Sequence, residues 1–520
     1  MSMGPSRASA SPIHFAASSQ GAQFMSQGIP QAELNPTLVR GLAFVAALGG
    51  LLFGYDTAVI SGAVGAIDHN FIDPRGLSET SAASLSGWAI SCALLGCVIG
   101  AALAGPMSQK IGRKGGLLVS AILFMLSSVG SAYPEFGFLW IGGDGPEALT
   151  AFILYRILGG VGIGVASMLS PLYIAEIAPP KQRGQLVTYQ QVAIVVGMTL
   201  GYFVNWYIAS QGDDLWVLST GWRYMLLSAT LPAVLFFALL LLVPETPRWL
   251  VMKGRMDEAR NVLARLTNEN DARIVLKEID ESLHERSGKL FAFGALVVFV
   301  GIMLSVFQQF IGINAVLYYA PLMFQNMGSS ADSALLQTII VGVANIVFTL
   351  VALMTVDRWG RKPLLILGAV VMAISMLTLG FLFNSHNVGT AALVAVVAYI
   401  AGFALSWGPV VWVLLSEIFP NPIKGKAMAI AVAMQWIANL FVSWSFKVLD
   451  GNSALNAMFN HGFAYWIYGV MSILAALFVW RFVPETKGHS LEAIQHLWIE
   501  KPEGHTHSET ASKASTANAL

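Results

Sequence analysis

Apolar runs of roughly 20 residues recur along this chain, and that repetition constrains its fold more than any other feature. A helix rises about 1.5 Å per residue, so each run matches the ~30 Å hydrocarbon core of a bilayer. Six runs fall near 39–65, 82–107, 115–133, 149–176, 186–209 and 222–243. After a polar interval, six more fall near 291–327, 334–356, 362–384, 390–417, 425–447 and 463–483. Lipid offers no partner to an open backbone, so the pattern predicts an all-α membrane protein with twelve transmembrane helices. Composition agrees: 56% of residues are hydrophobic and 11% charged, against about a quarter charged in soluble domains. The formal net charge is zero, which excludes a global pull on nucleic acid. Cys92 and Cys97 sit in one apolar run and offer neither a disulfide framework nor a metal site, so no cofactor is expected.

The two sets of six repeat one another. Gly112-Arg113-Lys114 returns as Gly360-Arg361-Lys362, and Pro244-Glu245-Thr246 returns as Pro484-Glu485-Thr486. Glu176-Ile177 with Arg183 returns as Glu417-Ile418 with Lys424. Pairs lying about 240 to 250 residues apart imply two pseudo-symmetric halves, 37–243 and 291–483, with a binding site between them. The interval 244–290 holds nine Lys/Arg and nine Asp/Glu with helical periodicity, and reads as a small cytosolic helical insert. Residues 1–36 are Ser-, Ala-, Gly-, Gln- and Pro-rich and read as a disordered cytosolic lead; 484–520 read as a tail. Lys110, Arg113, Lys114, Lys181, Arg183, Arg358, Arg361, Lys362, Lys424 and Lys426 all fall on one face, whereas Glu135, Asp144, Glu147, Asp213 and Asp214 fall on the other. The positive-inside rule then places both termini in the cytoplasm of a multi-pass cytoplasmic (inner) membrane protein.

Chemistry concentrates in the seventh run. Gln308, Gln309 and Asn314 lie within seven positions, and no charge occurs between Phe291 and Met327. Hydrocarbon tolerates amides only with partners. On a straight helix at about 100° per residue, Gln309 and Asn314 point roughly 140° apart. Gly312 between them and Pro321 beyond offer a break that could swing them together, the arrangement of a midplane solute site; the alternative is that the amides only join helices to one another. Carboxamides both donate and accept, which suits a neutral polyhydroxyl solute better than an ion. Asp56 lies deep in the first run and Arg156 early in the fourth. Burial favours the protonated acid while a nearby cation favours the carboxylate, so the two form either a proton-coupling device or a static ion pair.

Nine stretches carry a wider resemblance. They are GGLLFGYDTAVISG (49–62), GRK (112–114), YRILGGVGIG (155–164), YIAEIAPPKQRG (173–184), PETPRWL (244–250), QQFIGINAVLYYAP (308–321), VDRWGRKPL (356–364), GPVVWVLLSEIFP (408–420) and VPETKG (483–488). In this order, over essentially all of 39–498, they resemble the sugar porter family of the major facilitator superfamily, and within it the bacterial D-xylose–proton symporters. The resemblance implies sugar contacts at Gln191, Gln308, Gln309, Asn314, Asn345, Trp412, Gln435 and Trp436, with Phe53 and Tyr318 lining the same cavity. It implies proton coupling at Asp56 with Arg156, because proton-linked relatives have Asp there and facilitative ones commonly Asn. A gating network of Arg113, Glu176, Arg183, Glu245, Asp357, Arg361, Glu417, Lys424 and Glu485 is implied on the cytoplasmic face. Gln109 stands where relatives usually have Asp, and Lys424 where many have Arg, which weakens the expected lock. The expected activity is proton-coupled symport of a monosaccharide, D-xylose foremost, by a monomer in the bilayer. An uncoupled facilitator and a sugar sensor are the alternatives. No span carries a nucleophile–base constellation, so an enzyme is not expected.

Overall fold

In the computed structural model, residues 35–178, 183–283, 290–291 and 293–487 are described. Among them the regular structure is helical throughout, save one isolated bridge between Phe138 and Ile141. Helix α1 runs over Pro36–Ile67, started by Pro36 in the first turn and by Asn35, whose side chain accepts from Leu38 N at 3.1 Å. Helix α2 covers Glu79–Ala132, α3 Leu149–Ile177 and α4 Arg183–Ala209. The next crossing consists of α5 (Trp222–Ser228) and α6 (Thr230–Leu242). Three helices occupy the polar interval: α7 (Pro247–Met252), α8 (Met256–Leu266) and α9 (Glu269–Leu283). The second half follows with α10 (Ala295–Phe310), α11 (Ile313–Asn326), α12 (Ala331–Trp359) and α13 (Arg361–Asn384). Then come α14 (Thr390–Leu405), α15 (Trp407–Ile418), α16 (Asn421–Asp450), the short α17 (Ser453–Phe459) and α18 (Phe463–Phe482).

Eleven of the described helical segments are long and apolar enough to cross a bilayer. One of them, α2, has 54 residues, about 80 Å of helix and more than twice the hydrocarbon thickness. It is two crossings, which makes twelve. The connection between spans 2 and 3, which carries Lys110, Arg113 and Lys114, turns on Gly112 alone (φ 88°, ψ 174°). Gly360 (φ 91°, ψ 162°) makes the same turn between α12 and α13. Both lie in a region that a Cβ disfavours, so the repeated glycine opens each basic motif for a backbone reason.

Close packing brings span 1 against span 5. A Cβ at Gly54 would stand 1.8 Å from the Ile194 carbonyl oxygen, and one at Gly197 would stand 2.2 Å from that of Leu51. Small residues at such crossings let backbones approach where lipid supplies no hydrophobic drive. In the polar interval, Trp249, Leu250, Val251 and Ala259 form a separate small core, covered by Val262, Leu276 and Ile279. The alternating apolar positions of α8 and α9 therefore face one another and α7.

Candidate functional site

The seventh crossing breaks between Phe310 and Ile313, with Gly312 in the left-handed region (φ 92°, ψ 12°). Pro321 lies inside α11 and does not end it, so the break belongs to Gly312 alone. Across it Asn314 Nδ2 donates to Gln309 Oε1 at 2.6 Å. Gln309 Nε2 reaches Gln308 Oε1 at 3.4 Å, and Gln435 Nε2 from α16 donates to the same oxygen at 2.5 Å. Gln308 Nε2 in turn donates to the Trp407 carbonyl at 2.8 Å, where span 10 itself breaks. A string of buried amides thus ties spans 7, 10 and 11 together. It ends in two buried atoms without partners among the described residues, Gln435 Oε1 and Trp436 Nε1, one acceptor and one donor. Each such atom costs about 1–3 kcal/mol when unpaired, a cost that a hydroxyl at either one would offset.

The remaining sugar-contact candidates take varied positions. Trp436 meets Phe53 edge-on at 5.3 Å, a contact from α16 to α1 and so between the halves. Tyr318 is buried on α11, whereas Trp412 on α15 and Gln191 on α4 are half-buried. Asn345 turns away from the amide string: its Nδ2 lies 3.9 Å from Met198 Sδ on α4, and its Oδ1 is 3.5 Å from Thr349 Oγ1.

Asp56 and Arg156 meet in the first half. Arg156 Nη1 donates to Asp56 Oδ1 at 2.5 Å and Nη2 to Oδ2 at 2.9 Å, a two-point match of guanidinium and carboxylate. Both residues are buried, and Arg156 Nε has no partner among the described residues. The pair joins α1 to α3.

On the face that carries the basic motifs, the two halves build the same cluster twice. Arg113 donates to Glu176 from Nε (2.8 Å) and Nη2 (2.6 Å), and Thr246 Oγ1 donates to Glu176 at 2.6 Å. Glu245 accepts the backbone N–H of Arg113 and Lys114 at 3.1 Å each, capping the helical turn that restarts after Gly112. In the second half Arg361 Nη2 lies 2.9 Å from Glu417, Thr486 Oγ1 donates to Glu417 at 2.5 Å, and Glu485 accepts from Arg361 N and Lys362 N at 3.0 Å. Burial pushes the Glu245 carboxyl up, and its three amide bonds only partly offset that. Burial also acts on Glu485, but the amides of Lys487, Arg361, Lys362 and Thr486 outweigh it and hold that carboxyl low. Lys424 is half-buried in the first turn of α16, while the side chains of Arg183 and Asp357 lie outside the described residues. Thr246 and Thr486 join these clusters beyond the expected charged network, and the repeated Pro-Glu-Thr is the signal that points to them.

At the opposite face three contacts join the halves. Lys447 Nζ lies 2.9 Å from Asp68 Oδ2, Trp444 Nε1 donates to the Ser84 carbonyl at 3.2 Å, and Tyr202 Oη donates to the Leu317 carbonyl at 2.8 Å. The sequence reading missed these, because each partner sits alone in its own half. Lys447 did carry one hint, since with Arg75 and Arg223 it is one of few bases on the face marked by acids.

Two repeated six-span halves, the first holding a buried ion pair and the second an uncharged polar string, have the form of a multi-pass membrane transporter. Residues 42–498 match the family described as "Sugar (and other) transporter", and the chain belongs to that family. It is 53% identical to the D-xylose-proton symporter of Escherichia coli strain K12, over 90% of this chain and 97% of that one. It is also 51% identical to the glucose facilitated diffusion protein of Zymomonas mobilis, over 90% of this chain and 99% of that one. Among solved structures it resembles the partially occluded inward-open xylose transporter XylE from E. coli, with a TM-score of 0.79 and 51% identity. That match covers 87% of this chain and 100% of the other.

Proposed function

We propose that this chain is a proton-coupled monosaccharide symporter, with D-xylose as its substrate, working by alternating access in the cytoplasmic membrane. The observation that carries the reading is the amide string closed across the Gly312 break, with a buried acceptor and donor at its end. Gln308, Gln309, Asn314 and Gln435 take the sugar hydroxyls, with Gln191 approaching from the facing half and Asn345, held by Met198 and Thr349 in this state, assigned to the same site. Trp412, Trp436, Phe53 and Tyr318 cover the apolar C–H faces of the ring. The basic face lies in the cytoplasm with both termini, and the monomer suffices.

Coupling runs through Asp56. A proton taken up on its carboxylate neutralises the charge that holds Arg156, which loosens α1 from α3; release on the cytoplasmic side restores the two-point pair. The clusters of Arg113, Glu176, Glu245, Arg361, Glu417 and Glu485 set the bias between facing states, with Arg183, Asp357 and Lys424 assigned to the same network. One reading competes: the Zymomonas relative bears a facilitator's name, so an uncoupled uniporter shares the fold. Asp56→Asn separates the two. In proteoliposomes, sugar-driven alkalinisation and uptake against a gradient disappear while sugar binding persists; concentrative uptake at the wild-type level overturns coupling through Asp56.

A further inference from the structure

The break in span 7 leaves a carbonyl with no helical partner, and one side chain takes it. Gly312 N turns back to the Gln309 carbonyl at 2.8 Å, and the first bond of α11 runs from Val316 N to the Gly312 carbonyl at 3.0 Å. The Ile311 carbonyl falls between the two ladders. Tyr399 on α14 reaches it with its hydroxyl at 2.8 Å, and both residues are 0% exposed. The other side of the turn is closed by Tyr468 on α18, whose ring atoms stand 2.5 Å from where a Gly312 Cβ would sit. The turn that aims Asn314 at Gln309 is therefore held by a hydrogen bond from span 10 and by a ring from span 12.

We propose that Tyr399 is a positioning residue for solute binding: by clasping the Ile311 carbonyl it fixes the angle between α10 and α11, and so the geometry at which Gln309 and Asn314 present their amides. A phenylalanine would fill the same space. What the hydroxyl adds is one directional bond to a backbone carbonyl that the break sets free, in a fully buried setting. Other tyrosines nearby show that burial alone does not supply such a role. Tyr465 and Tyr468 are also buried, and their hydroxyls have no partner among the described residues. The effect reaches the solute only through the amides, which is what distinguishes positioning from contact.

The proposal rests on the reading of Gln309 and Asn314 as sugar contacts, and a double-mutant cycle tests the two separately. D-xylose affinity is measured for the full-length chain carrying Tyr399→Phe, Asn314→Ala, both together, and Tyr465→Phe. Half-saturation of counterflow in membrane vesicles gives the same comparison where purified protein is unstable. Tyr399→Phe is expected to weaken affinity about fivefold and Asn314→Ala about tenfold. In the Asn314→Ala background the Tyr399→Phe step shrinks below twofold, because its effect passes through the amide already removed, and Tyr465→Phe leaves affinity unchanged. Unchanged affinity in Tyr399→Phe overturns the clasp, as do fully multiplicative losses in the double variant or an equal loss from Tyr465→Phe. Unchanged affinity in Asn314→Ala overturns the site reading itself, and the proposal with it.

Discussion

Lys447 Nζ lies 2.9 Å from Asp68 Oδ2, an ion pair that joins the end of α16 to the turn after α1 and so closes one half of the molecule onto the other. Its side chains are 12% and 23% exposed, which screens the pair less than a surface bridge. It lies on the face opposite the basic clusters, beside the Trp444 bond to Ser84.

Breaking that bridge shifts the balance of facing states. Lys447→Ala is expected to favour opening at the Asp68 face by about three- to tenfold, within the usual range of conformational coupling. Distances between spin labels placed on α2 and α16 at that face report the populations. An unchanged distance distribution in Lys447→Ala removes the pair from the gate.

Gln308 sits at the centre of the amide string, donating to Trp407 and accepting from Gln435 and Gln309. Gln308→Ala strands the Trp407 carbonyl and the Gln435 amide together. Sugar affinity is expected to fall about tenfold or more, since a stranded buried group costs about 1–3 kcal/mol. Isothermal titration against D-xylose and D-glucose checks this, with a wild-type elution profile required as evidence of folding.

Gly312 faces two independent obstacles to substitution. Its φ of 92° disfavours any L side chain, and a Cβ would press into the Tyr468 ring at 2.5 Å. Gly312→Ala is expected to cost about 2–4 kcal/mol, summing backbone strain and overpacking. Gly425, where a Cβ meets nothing within 4 Å, is the control: Gly425→Ala leaves the thermal midpoint within a few degrees of wild type. Equal midpoints for the two variants would exclude the strain.

His461 supplies a pH dependence at the turn between α17 and α18. Its Nδ1 lies 2.8 Å from Asp450 Oδ1, and that bond raises the imidazole above its usual value of 6.5 despite partial burial. The imidazolium is therefore favoured in the folded state. Its stabilisation is full below pH 6.5 and is lost as pH rises through the higher folded value. Thermal midpoints of wild type and His461→Ala are expected to differ most near pH 6 and to converge in mildly alkaline buffer. A gap that widens with pH contradicts the pairing.

Much of the fold was legible in the string because lipid restricts the menu. Twelve apolar runs, a period near 240 residues and basic connections on one face leave little but a two-half helical bundle. The amide triplet stood out for the same reason, since Gln308, Gln309 and Asn314 are conspicuous in a run without a charge. Tertiary structure alone decided which atoms meet. That the break falls at Gly312 and spares Pro321, that Tyr399 takes the freed Ile311 carbonyl, and that Lys447 finds Asp68 all depend on packing between segments 88 or more residues apart. Hydropathy and spacing record what each residue tolerates along one helix. They carry no angle between helices, and a single left-handed glycine or one cross-bundle carbonyl is set by that angle.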